Sequence, residues 1–181
     1  MRKMEEHFQR RTAEHIRMFR KYLSKIIELN LPELDKHVLV ADFNTHDEGK
    51  FLDPEYTPYI YITWKYHQES LGNKYEIPEG IKKKAHEATF HHIKTHKHHP
   101  EYWDDNITIE CLNQVNRDKP AGRMVDATLM PLSYVASMVA DWLAVSDERN
   151  SDVNDWIKMN VNIRWRFTES QVALIKKIVE Q

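Results

Sequence analysis

The chain has 181 residues, long enough for one domain with a full hydrophobic core. Apolar residues make up 41% and charged residues 30%, with 4 glycines and 7 prolines, a balance that suits a predominantly helical protein. A formal charge of -2 carries no basic excess for nucleic-acid binding, and the single cysteine, Cys111, excludes an internal disulfide or a thiolate metal site. No apolar run approaches the roughly 18 residues of a membrane span. The charged N-terminus, MRKMEEHFQRR, leads into no uninterrupted apolar segment, so a cytoplasmic protein is the expectation.

In chain order, Phe8, Ile16, Phe19, Leu23, Ile26 and Ile27 recur at helical spacing and predict a helix from Met4 to about Leu29, with His15 on its apolar stripe. Pro32 is expected in the first turn of a second helix that buries Leu34, Val38 and Ala41 and ends at Gly49. That ending puts His46 and Asp47 near a helix terminus. Asp53-Pro54-Glu55 and Thr57-Pro58 both read as starts of a third helix, with Tyr59, Ile62 and Tyr66 on its inner side. A loop follows, punctuated by Gly72 and Pro78-Glu79-Gly80.

Six of the eleven histidines, His86, His91, His92, His96, His98 and His99, crowd the next segment. Its periodicity predicts a helix from about Glu79 to His98, stopped by Pro100. Ala85, Ala88 and His92 share a face, and the two alanines leave room for a neighbouring helix beside His92. His86 and His91 fall elsewhere and read as surface residues; Lys82 to Lys84 read as a solvated face. Between Trp103 and Arg123 the pattern weakens to loops and a short helix. Met130-Pro131 opens a helix with Val135, Met138, Val139 and Trp142 inside, and it places the Asp141 carboxylate inward, where it needs a partner. Glu148 to Asp152 reads as a polar linker, followed by a short segment with Trp156 and Ile163. Thr168-Glu169-Ser170-Gln171 has capping-box spacing and opens a last helix, about 169–180, with Val172, Ile175 and Val179. The expectation is one all-α domain over residues 1–181.

The inward candidates are therefore His15, His46 with Asp47, His92, His98 or His99, and Asp141, spread over four helices. Imidazole and carboxylate side chains that converge in this way suit manganese, iron, cobalt, nickel or zinc. In His15, in HDEGK at His46 to Lys50, and in the late Asp141-Trp142, the chain resembles the HD superfamily of metal-dependent phosphohydrolases. More narrowly, HDEGKF at His46 to Phe51, the His92 to Trp103 stretch with HHPEYW, and Val139 to Trp142 are similar to a small HD-like family of bacteria and their phages. Two positions depart from that pattern: His96 replaces an asparagine, and Ser137 replaces a glutamate. The resemblance covers about residues 12–146.

It implies an HD-like helical bundle in which His15, His46, Asp47 and Asp141 hold one divalent metal, and His92 with His98 or His99 a second. It further implies hydrolysis of a nucleotide or other small phosphate ester through a metal-activated water, with Asp47 bridging and Lys50 neutralising a phosphate oxygen. A surface lysine at a helix end is the competing reading of Lys50. Glu101, beside the cluster, is expected to orient a histidine, with mere exposure as the competing reading. HD proteins are often oligomeric, which makes a homo-oligomer compatible with this picture. The alternative is a non-catalytic, histidine-rich metal-binding or interaction protein; nucleic-acid binding through Lys82 to Lys84, Tyr102 and Trp103 ranks last.

Overall fold

The computed structural model describes residues 1–112 and 123–181. Part of the weakly patterned stretch between Trp103 and Arg123 lies outside the described residues. The described chain is all-α apart from one small sheet, as the composition suggested. Its helices are α1 (Arg2–Glu28), α2 (Lys36–Thr45), α3 (Tyr56–Ser70), α4 (Glu79–Thr95), α5 (Leu132–Arg149), α6 (Val153–Asn160) and α7 (Glu169–Val179). Two-residue strands β1 (Val125–Asp126) and β2 (Trp165–Arg166) pair in parallel, Val125 opposite Trp165. No helix among the described residues is long and apolar enough to cross a membrane.

α1 organises the packing. Its 27 residues span about 40 Å, and its apolar stripe feeds two separate cores. Phe8, near its start, joins Tyr59, Ile60, Ile62, Ala85 and Ala88 of α3 and α4. Phe19, Leu23 and Ile26, further along, join the larger core with Leu39 of α2, the inner face of α5, and Leu174, Ile175 and Ile178 of α7. His15 lies between the two groups on the same stripe and is buried.

Several local expectations shift. α2 begins at Lys36, after Pro32, because the Asp35 carboxylate caps it by accepting the His37 N–H at 2.8 Å. The later start changes the inner face: Leu34 and Leu39 are buried and Phe43 packs on the core, while Ala41 is exposed. The helix stops at Thr45, four residues before Gly49: His46 leaves the helical region at ψ 125° and Asp47 follows in a left-handed conformation at φ 59°. Gly49 instead sits in a 3₁₀ turn, Glu48–Phe51, where a Cβ would lie 2.8 Å from His96 Cε1. Tyr59 and Ile62 of α3 are buried as expected, but Tyr66 is exposed. α4 ends at Thr95, so His98 lies in a turn closed by His99 N–H on the His96 carbonyl, and His99 is the extended entry of a 3₁₀ turn, Pro100–Trp103. α5 continues through Arg149, making Glu148 helical instead of part of a linker. Ile163 is exposed.

The capping box at α7 is formed: Thr168 Oγ1 accepts from Gln171 N, and Gln171 Oε1 accepts from Thr168 N. The buried Gln171 amide also donates to Ala127 O at 3.0 Å and Met130 O at 2.7 Å, which fastens the segment entering α5 to α7. Replacing that amide leaves the Met130 carbonyl without its donor, whereas Ala127 O keeps the Met130 N–H at 2.9 Å. Gln171→Leu is expected to destabilise by about 2 kcal/mol, and Thr168→Ala, which removes only the cap, by about 1 kcal/mol. Urea denaturation of the two variants checks the order; a larger loss for Thr168→Ala would contradict the clamp.

Candidate metal centre

Between the two cores, four helices and two turns bring seven predicted residues together. Asp47 is at the middle and is 1% exposed. Its Oδ2 faces His15 Nε2 at 3.4 Å and His46 Nε2 at 3.8 Å, whereas Oδ1 faces His92 Nε2 at 3.2 Å. Asp141 Oδ1 lies 3.0 Å from His15 Nε2 and 3.7 Å from His46 Nε2. The Nε2 atoms of His15 and His46 are themselves 3.3 Å apart. One grouping, His15, His46 and Asp141, can thus offer donors to a single ion; a second, His92, His98 and His99, can do the same. Within each, the candidate ligand atoms lie within 4.8 Å of one another.

Each ring has a reason for its position. His15 sits on the buried stripe of α1, and Asp141 two turns before the C-terminus of α5. The His46 ring stacks on Phe19, centroids 3.5 Å apart, at the end of α2. His92 projects from α4 beside the buried Ala88, its ring edge-on to Tyr59. His98 and His99 reach the cluster because α4 ends early and the chain turns back through Pro100. Lys94 Nζ holds that turn by donating to the carbonyls of Glu101 and Asp104, at 3.0 and 2.9 Å.

The electrostatics match a cation site. Burial alone would raise Asp47 and Asp141. The Lys50 and His46 charges beside Asp47, and hydrogen bonds from His15 and His46 to Asp141, instead hold both carboxyls well below the usual range. Burial pushes His98 and His99 well below the ordinary histidine value, which keeps them neutral and their lone pairs available. Polar atoms of His46 (Nδ1), Asp47 (Oδ1) and His99 (Nε2) are buried with no hydrogen-bond partner. Unpartnered buried donors and acceptors are costly, and a divalent ion with neutral imidazoles and carboxylates around it accounts for those that face the cluster.

Lys50 is buried and paired with Asp47, its ammonium over the Tyr59 ring, so the surface reading of this residue is excluded. Glu101 is buried but turns away from the histidines: its Oε1 accepts from Trp165 Nε1 at 2.8 Å and lies 3.5 Å from Arg164 Nη2. Its expected role as a histidine acceptor is corrected accordingly. Two other glutamates take that place, Glu148 on His15 and Glu55 on His92. Glu148 had a signal, since it follows Asp141 by two helical turns on one face. Glu55, set between two prolines outside any periodic segment, had none. His91 is exposed as expected but donates to Glu55, and His86, half-buried, meets the Ile109 carbonyl at 3.1 Å. His96 is brought near Glu55 and His92.

A cavity of about 880 Å³ opens onto the cluster, and His15, Asp47, His92, His98, His99 and Asp141 all line it. Arg11, Lys50, Arg149 and Arg164 line it as well, alongside Trp142, Trp156 and Trp165.

The fold and the cluster define a helical protein with buried histidine and carboxylate groupings able to hold metal ions. The chain belongs to a family of unknown function (DUF5662), which it matches over residues 4–181. No curated protein and no solved structure matches it.

In the metal-free protein His15 carries the proton that an ion would displace. Burial opposes its charge, but hydrogen bonds to Asp141 and Glu148 raise its pKa from 6.5 to about 9. A folded-state value above the unfolded one stabilises fully below pH 6.5, and that stabilisation disappears as pH rises through about 9. Chelated protein is therefore expected to lose urea stability between pH 6.5 and 9, and His15→Gln to lose this slope. Equal slopes in both proteins would refute the assignment.

Proposed function

We propose that this protein is an HD-type metal-dependent phosphohydrolase acting on a nucleotide or another small phosphate ester. The observation that carries the reading is the two-sided arrangement around Asp47: one carboxylate oxygen toward His15 and His46, the other toward His92, at the edge of a cavity. Divalent ions held there would supply an acidified water and polarise a phosphoryl group. The chain's own contribution is positional and electrostatic. His15, His46 and Asp141 hold one side, His92, His98 and His99 the other, and Asp47 is placed to serve both.

Lys50 supports the same reading. A buried ammonium beside Asp47 and on the cavity wall is placed to donate to a phosphoryl oxygen as negative charge develops on it. Arg11, paired with Glu148, and Arg164, beside Glu101, also line the cavity and present guanidinium N–H groups of the kind that bind phosphate oxygens. Open access is also what separates this arrangement from a purely structural site. Structural metal sites are closed by protein ligands on all sides, and catalytic ones keep a position facing a cleft; six of the candidate ligands line the cavity.

Purified protein is expected to carry stoichiometric divalent metal and, with manganese, to hydrolyse at least one member of a panel of phosphomonoesters and phosphodiesters. Asp47→Ala should lose both metal and turnover. Lys50→Met should retain the metal and lower kcat by about 10²-fold. A wild-type protein that holds no metal and leaves the whole panel intact would remove the proposal; metal without turnover would favour the non-catalytic alternative.

A further inference from the structure

An imidazole that presents Nε2 to an ion needs a group at Nδ1 to fix its tautomer and the plane of its ring. Two rings of the cluster have such a group, and in both it is a glutamate from a different part of the chain. Glu148 Oε1 accepts from His15 Nδ1 at 2.6 Å, and Glu148 Oε2 accepts from Arg11 Nη2 at 2.9 Å. Glu55, 0% exposed, accepts from His92 Nδ1 through Oε2 and from His91 Nδ1 through Oε1, both at 2.8 Å. A carboxylate only accepts, so each bond puts the proton of the neutral ring on Nδ1 and leaves the Nε2 lone pair facing Asp47 or Asp141.

The two glutamates stand behind different halves of the centre. His15 groups with His46 and Asp141; His92 groups with His98 and His99. They also differ in how their charge is met. Glu148 has the Arg11 guanidinium on its second oxygen. Glu55 has histidine rings on both of its oxygens, and a buried carboxylate in that setting gains most from a cation on the far nitrogen of His92.

We infer that Glu148 and Glu55 are positioning residues that each govern one of two metal ions: Glu148 the ion on the His15 side, Glu55 the ion on the His92 side. This rests on the metal-centre reading above and adds to it which outer carboxylate tunes which half. Each holds its histidine in the metal-binding tautomer and strengthens Nε2 as a donor. Because Arg11 already compensates Glu148, removing charge alone weakens binding more at Glu55.

Manganese titration by calorimetry into chelator-stripped full-length protein tests this, with urea denaturation of each stripped variant run alongside. Wild type is expected to bind in two resolvable steps. Glu148→Ala should weaken one step by about 10- to 100-fold and Glu55→Ala the other by a similar factor. Glu148→Gln and Glu55→Gln keep an acceptor for Nδ1 and guard against simple misfolding; of these, Glu55→Gln should lose more affinity. Variants that lower only the stability of the stripped protein, or that weaken the same step, would overturn the inference while leaving the metal centre standing. A wild type that takes one manganese would overturn the assignment to two ions, and one that takes none would sink the metal centre as well.

Discussion

A carboxylate has two oxygens, and at Asp47 they look in opposite directions, one toward His15 and His46 and the other toward His92. That division depends on a backbone detail. α2 ends as His46 leaves the helical region and Asp47 adopts a left-handed conformation, which aspartate tolerates better than most residues, and the chain then tightens into the 3₁₀ turn that brings Lys50 back against the same carboxylate. A continued helix would have put Asp47 on the face of Val40, Phe43 and Asn44, of which Val40 and Asn44 are exposed. The early stop instead leaves the His46 ring on Phe19 and the Asp47 carboxylate within reach of α1 through His15 and α4 through His92.

Such a concentration of ionisable groups is expensive for the fold. Asp47, Lys50, Glu55, His15, His46, His92 and His98 are all buried, and well-packed apolar side chains of similar size often give equal or greater stability. The chain tolerates them by placing them on a seam. The Phe8 core and the Phe19 core meet along α1, and the polar cluster occupies the join, where the cavity opens. α1 is thus both the main packing element and the carrier of a candidate ligand. Shifted pKa values concentrated in such a place are a common mark of a functional site.

Much of this was legible because the fold is built on helical periodicity. His15 and Asp141 could be placed inward since each shares a stripe with apolar residues, and His92 since Ala85 and Ala88 share its face. What escaped was set by local chemistry that competes with periodicity. The Asp35 cap moved α2 and changed its inner face, and α4 stopped at Thr95, before the proline that was expected to stop it. Glu148 looked like linker because the polar run from Glu148 to Asp152 hid the last turn of α5. Glu55 and Glu101 show the same limit from opposite sides. Proximity in sequence suggested Glu101 for the histidines, yet the 3₁₀ turn aims it at Trp165, and the glutamate that reaches His92 comes from the other side of a long loop and helix.

The proposed metal centre requires Asp47 to lie between two ions. Anomalous diffraction from crystals of the protein grown with manganese measures this directly. The expected result is two peaks about 3.5–4 Å apart, one beside His15, His46 and Asp141, the other beside His92, with one oxygen of Asp47 on each. Peaks absent from the cluster, or an ion held by surface histidines while Asp47 stays paired with Lys50 alone, would contradict it.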